Sequence, residues 1–343
     1  MTTSDLPSLW FIKEGDDCRS RVFGLRSLLG RQHNDPAVEK FNEMQDYKCA
    51  YKDNETEGVT LLLRSKCETD DFEGFGGYRS EQNWKPEELT SLILSKMKET
   101  AEAHLGSLVK DAVITVPAEF TTSQRLATRE AGLLAGFNVV GILREPVAAA
   151  IAYGLDKKSS VGNILVFDQG NGALEVTILS CENDILRLKS SAVEEIKEEG
   201  VEAKMVEETT WDFKFLDPVK RAITEAKADQ ASITDIVIVG AMARIPVSVT
   251  MEMLQDFFPV SQLHSSINPE EVLATGAAIV AARLTADKLV KDRLGDQLAQ
   301  GKQEDFSPSH FPSQKKKKLA NTWKWKKLFP FSYYCVKSHS LKF

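Results

Sequence analysis

Asp168-Gln-Gly-Asn-Gly172 is the stretch whose residue types and spacing could do chemistry. It lies between a continuous apolar run, Ile164-Leu-Val-Phe167, and an alternating one from Leu174 to Leu179. Together these read as a β-hairpin with the acidic and glycine residues at its mouth. Glycines two apart can take φ > 0, so the turn can bring bare backbone N–H groups around an anion. Asp168, at the end of the first strand, is placed to hold a cation through water. An ordinary glycine-rich hairpin has the same spacing, and on these residues alone both readings stand.

The elements around this stretch alternate between strand and helix. Pro86 opens a helical pattern with Leu89, Leu92, Ile93, Met97, Ala101 and Leu105 on one face, Glu87 and Glu88 in its first turn and Gly106 after its end. Met97 and His104 read as structural residues of that helix. Ala112 to Val116 is a strand stopped by Pro117, and Thr121-Thr-Ser-Gln124 has capping-box spacing for a helix reaching about Gly136. Asn138 to Leu143 is a second buried strand, and strand, helix, strand in that order indicates an α/β unit. Glu145-Pro146 opens a helix whose Ala148, Ala149, Ala150, Ile151 and Ala152 are too small and apolar for a solvent face, so it must pack closely. Glu145 could serve simply as a carboxylate at a helix N-terminus. Ile236 to Val239 is a buried strand, Val247 to Phe258 a helix, and Gly276-Ala-Ala-Ile-Val-Ala-Ala another helix of small residues. Residues 45–83 read as irregular. Within them Phe72-Glu-Gly-Phe-Gly-Gly77 is not expected to be a phosphate loop, because the pattern gives no apolar strand before it and no helix after it.

The chain has 343 residues, 42% of them hydrophobic, enough to bury the core of one bilobal unit or two domains. No run of eighteen apolar residues exists, and Met1-Thr-Thr-Ser-Asp-Leu-Pro7 lacks the regions of a signal peptide, which sets the expectation of a cytosolic protein. Cys18, Cys49, Cys67, Cys181 and Cys335 have no metal-ligand spacing and suit reduced thiols. The net charge of −7 hides an asymmetry: no acidic residue follows Asp305, and nine lysines from Lys315 onward leave the preceding part at −16. That basic tail, with Trp323, Trp325, Phe329, Phe331, Tyr333 and Tyr334, could meet nucleic acid or an anionic membrane, and Lys315 to Lys318 could be a nuclear signal. A disordered extension is the expected reading, since no helical or strand period organises its apolar residues.

Residues 111–156, from Asp-Ala-Val-Ile-Thr-Val-Pro to Arg-Glu-Pro-Val-Ala-Ala-Ala-Ile-Ala-Tyr-Gly-Leu-Asp, resemble the nucleotide-binding domain of the seventy-kilodalton heat-shock protein family. So does 236–282, with Ile-Val-Ile-Val-Gly-Ala-Met-Ala-Arg-Ile-Pro and Ser-Ile-Asn-Pro-Glu-Glu-Val. The resemblance implies an actin-like, two-lobed α/β ATPase fold and an ATP-binding chaperone in protein folding and the stress response, cytoplasmic with the nucleus as a second address. It implies ATP or ADP with Mg²⁺ held through water as cofactors, and exchange factors or J-domain proteins as partners. Residue by residue, it implies that Asp168 binds the metal, Gly170 and Gly172 cradle phosphates, and Glu145 positions the attacking water. Arg26 would stabilise transferred charge, and Gly240 and Arg244 would hold adenosine.

The chain also departs from that pattern. Arg26 stands where the family has its catalytic lysine, and a planar guanidinium that cannot deprotonate is no neutral exchange. Asn171 and Ala173 replace Gly and Thr, removing a hydroxyl near the γ-phosphate, and Met242 replaces a small polar residue. The first phosphate hairpin, most of one upper helical subdomain and the peptide-binding domain for clients are expected to be missing, with Glu194 to Glu208 a solvated connector. The expected divisions are an unassigned segment 1–20, a first lobe 21–157, a second lobe 158–295 and the tail 296–343. ATP binding with weak or lost hydrolysis is the leading expectation. The alternative is a pseudo-ATPase that serves as a binding module for chaperone partners, or a truncated product without function.

Overall fold

The computed structural model describes residues 24–43, 50–52, 58–66, 78–157, 162–170, 173–182, 184–195, 216–240 and 247–299. The described chain opens with a single 3₁₀ turn, Leu25–Leu28, bracketed by Gly24 and Gly30, both at positive φ. It continues through α1 (Pro36–Glu43), β1 (Ala50–Lys52), β2 (Val59–Lys66), β3 (Tyr78–Trp84), α2 (Pro86–Leu105), β4 (Asp111–Val116), α3 (Thr122–Leu134), β5 (Asn138–Arg144) and α4 (Glu145–Ala152). Then come β6 (Asn163–Gln169), β7 (Ala173–Glu182), β8 (Ile185–Glu195), α5 (Leu216–Glu225), β9 (Ile233–Val239), α6 (Val247–Phe257), β10 (Gln262–His264) and α7 (Val272–Ala299).

The local chemistry of the sequence explains most of these limits. Pro86 sits in the first turn of α2, and Gly106 closes it in the left-handed conformation with its N–H donating to the Glu102 carbonyl. Thr121 and Gln124 form a reciprocal capping box at the start of α3, with the Thr121 hydroxyl accepting from the Gln124 N–H. The core face of α2 is the expected one only in part: Leu89 is buried and Ile93 packs against the core, but Leu94 is buried as well, whereas Leu92 and Leu105 are exposed.

The described residues within 45–83 are not irregular. β1, β2 and β3 form an antiparallel sheet in that order, with Leu61 opposite both Ala50 and Trp84. The segment 67–77, with its three glycines, lies outside the described residues. An apolar strand, β2, does precede it, and a strand rather than a helix follows.

The largest sheet has the order β10-β9-β6-β7-β8, with β10, β9 and β6 parallel and β6, β7 and β8 antiparallel. Every residue of β6 is buried, because the sheet is covered on both faces. Leu165 and Phe167 pack into one cluster with Val219 and Ala222 of α5 and Leu254 of α6. Ile164 and Val166 pack into the other with Ala148 to Ala150 of α4 and Val272 and Leu273 of α7. Each such aliphatic side chain removed from water contributes about 1.5–3 kcal/mol. β8 runs on through Glu195, so Glu194 and Glu195 belong to an edge strand rather than to a connector; residues 196–215 lie outside the described residues.

The small-residue helices meet as the sequence requires. A Cβ at Gly276 of α7 would fall 1.9 Å from the Ala148 carbonyl oxygen of α4, so only glycine permits this approach. Arg283 of α7 donates to Asp156 at 2.5 Å and ties the helix to the turn after α4. β4 and β5 form a separate parallel pair, clasped by α3 on one face, where Gly132 sits against Ile114 and Val139, and by α7 on the other, where Leu284 reaches Gly141.

Candidate functional site

Arg26 is aimed by the turn that carries it. Leu25 and Leu28 are buried in a cluster with Phe41, Val59, Leu61 and Leu89. The far end of the segment is held by Gly30, whose N–H donates to Glu87 at 3.3 Å and whose α-carbon abuts the Ser123 backbone of α3. With both apolar neighbours turned inward, the Arg26 guanidinium reaches the first residue of α4 and pairs with Glu145. The pair is nearly dry, with side-chain exposures of 11% for Arg26 and 3% for Glu145. The Phe120 ring lies under the guanidinium, 5.4 Å from centroid to carbon, a cation–π contact. Arg144 supports the same corner by donating to the Ala118 carbonyl at 3.1 Å. Two residues 119 apart in sequence therefore neutralise one another.

Asp168 is buried near the end of β6, opposite Glu175 of β7 and Val239 of β9. By strand alternation it shares the face of Ile164 and Val166, the face packed on α4. The register Asp168↔Val239 sets Gly170 and Gly240 just beyond the paired ends of neighbouring parallel strands. Gly240 takes a φ of +75° and its N–H donates to the Pro269 carbonyl at 2.9 Å, closing the turn after β9. Gly170 donates to the Ala173 carbonyl at 2.9 Å and is not among the described glycines at positive φ. Its N–H thus closes the hairpin instead of facing an anion, contrary to the cradle expected from glycine freedom. Gly172, Arg244 and Met242 lie outside the described residues.

Phe120 and Gln169 were not singled out by the sequence. Gln169 is fully buried, donates to the Thr250 hydroxyl at 2.6 Å and leaves its own carbonyl oxygen without a partner. Alternation turns it to the face opposite Asp168, so that oxygen does not belong to the hairpin mouth. The signal for Phe120 was only its place after Pro117, where the chain leaves β4 towards α3.

A magnesium nucleotide fits these residues in part. Asp168 is a strand-end carboxylate beside two backbone turns, and no cluster of three or more His, Cys, Asp or Glu is found among the described residues. That donor set suits a Mg²⁺ that keeps its waters and leans on phosphate oxygens. The transfer half of the site fits poorly, because Arg26 and Glu145 occupy each other.

A mixed sheet covered on both faces, with candidate residues just beyond the ends of its parallel strands, defines an α/β class of protein in which such strand ends are a common place for ligands. The sequence profile described as Hsp70 protein matches residues 14–200 and 203–296, and the chain belongs to that family. The actin-like ATPase fold of the Hsp70 nucleotide-binding domain is therefore its fold, present here in part. Among similar proteins, Heat shock 70 kDa protein 2 of Paracoccidioides lutzii is 34% identical over 338 aligned residues, covering 79% of this chain and 49% of its own. A heat shock 70 kDa protein of Neurospora crassa is 34% identical, covering 78% and 49%. Heat shock cognate 70 kDa protein 3 of Dictyostelium discoideum is 30% identical, covering 78% and 51%. The chain spans about half the length of the relatives it matches.

Proposed function

We propose that the chain is an ATP- or ADP-binding chaperone domain with weak or lost hydrolysis, acting in protein folding in the cytosol or nucleus with J-domain proteins and exchange factors. The observation that carries this reading is the buried Arg26–Glu145 pair. Phosphoryl transfer depends on positioning and on charge aimed at the transferring group. A guanidinium held by a carboxylate has little field left for a phosphate, and a carboxylate held by a guanidinium is a poor orienter of water.

Binding draws on other residues. Asp168 would hold Mg²⁺ through water, and Gly172, with the turn at Gly240 and Arg244, would hold phosphate and adenosine. Mg²⁺, when bound, supplies neutralisation of phosphate charge. Arg26 and Glu145 contribute mainly a clamp between the 3₁₀ turn and α4.

The test is the thermal shift caused by ATP with and without magnesium. Wild type should show a magnesium-dependent shift and Asp168→Ala none. Arg26→Ala should melt lower yet keep the shift. Equal shifts in wild type and Asp168→Ala would overturn the nucleotide reading, and no shift in either would favour the binding module that contacts chaperone partners without nucleotide.

A further inference from the structure

Gln169 is a buried polar group that the binding and transfer roles leave unused. It is 1% exposed, on the face of β6 that carries Leu165 and Phe167 into the apolar cluster with α5 and α6. Its side-chain amide donates to the hydroxyl of Thr250 in the first turn of α6, itself buried, and its carbonyl oxygen has no partner. Buried polar groups are satisfied in nearly all cases, and an unmet carbonyl in an apolar layer costs stability. An apolar residue of similar size would fill the layer without that cost, so packing alone does not account for a glutamine here.

The ladder around Gln169 gives the bond a task. β6 pairs with β9 as far as Asp168↔Val239 and with β7 as far as Gln169↔Leu174. Gln169 therefore stands just past the last rung on the β9 side, held by backbone from β7 alone. Its side chain takes the place of the missing rung and fastens the strand end to α6, the helix next in order after β9. Asp168, the residue before it, faces the other way, so its carboxylate is carried by a strand end that this bond keeps in place. We propose that Gln169 is a positioning residue for Asp168, on the reading above that Asp168 holds Mg²⁺ through water: the bond to Thr250 keeps the carboxylate where a hydrated divalent cation can use it.

A magnesium titration at fixed ATP, followed by thermal shift on the full chain, tests this. Gln169→Leu should need about tenfold more magnesium than wild type for the half-maximal shift, the loss typical when a support behind a metal-holding residue is removed. Thr250→Val should move the magnesium midpoint equally, and Thr250→Ser, which keeps the hydroxyl, should leave it in place. Gln169→Leu/Thr250→Val should go no further than either single variant, because both act through one bond. Without nucleotide that double variant should melt at least as high as wild type, since both polar partners have become apolar. A residue that merely fills the core gives the opposite pattern, a lower melting temperature with an unmoved magnesium midpoint, and that result would overturn the proposal. Additive midpoint shifts would overturn it too. An unchanged midpoint in both single variants, with wild type responding to magnesium, would remove this role of Gln169 and leave the nucleotide reading standing. No response to magnesium in wild type would remove the nucleotide reading, and this role with it.

Discussion

Arg26 and Glu145 are stable together and costly apart. Removing one partner of a buried pair leaves an uncompensated charge, at about 3–5 kcal/mol, whereas replacing both by apolar groups of similar volume is often neutral. Glu145→Ala and Arg26→Ala should each therefore destabilise by about that much in urea denaturation, while Arg26→Met/Glu145→Leu recovers most of it. Additive losses in the double variant would show that the two side chains do not act as a pair. Glu87 offers a pH test in the same corner. Burial pushes its carboxyl above the ordinary value of 4.5, against the lowering effect of the backbone N–H bond from Gly30. A carboxyl with a raised folded pKa contributes stability that is fully present below 4.5 and lost as pH rises through the folded value. Glu87→Gln should thus melt higher than wild type at neutral pH, and the gap should close below pH 4.5. A constant gap across that range would mean the carboxylate is not penalised.

Among the elements, those punctuated by local chemistry were legible: Pro86 and Gly106 bound α2, and the Thr121–Gln124 box starts α3. The first sheet was not, because Val59-Thr-Leu-Leu-Leu lacks the alternation that marks a half-buried strand. β8 was missed for a related reason, since its acidic end reads as solvated chain yet pairs with β7 through Glu195. Alternation also fails to say which stripe of α2 is buried, because that depends on where the 3₁₀ turn and α3 sit. The candidate site was half legible. Asp168 stood out from its hairpin, but its place beside Gly240 needs the β6–β9 register, and the Arg26–Glu145 pair needs the whole intervening fold. The α4–α7 contact gives the element-scale prediction. Any side chain at Gly276 strikes the Ala148 backbone, so Gly276→Val should cost about 1–3 kcal/mol by overpacking. An unchanged melting temperature would contradict the close crossing.

At the scale of the molecule, the described part is built on separate apolar clusters, and the basic tail follows it in sequence. The expectation of a disordered extension, read from Pro308, Pro312 and the Lys315 to Lys318 run, has a direct test. Limited trypsin digestion should remove residues from about 300 onward and leave the body, and cuts in the body with the tail intact would contradict this division. The central claim is that the domain keeps a binding half and has lost most of a transfer half. Phosphate release at saturating magnesium-ATP, measured beside an intact relative, tests it most directly. The account predicts turnover well below the relative's; turnover equal to it, and abolished by Asp168→Ala, would contradict the account.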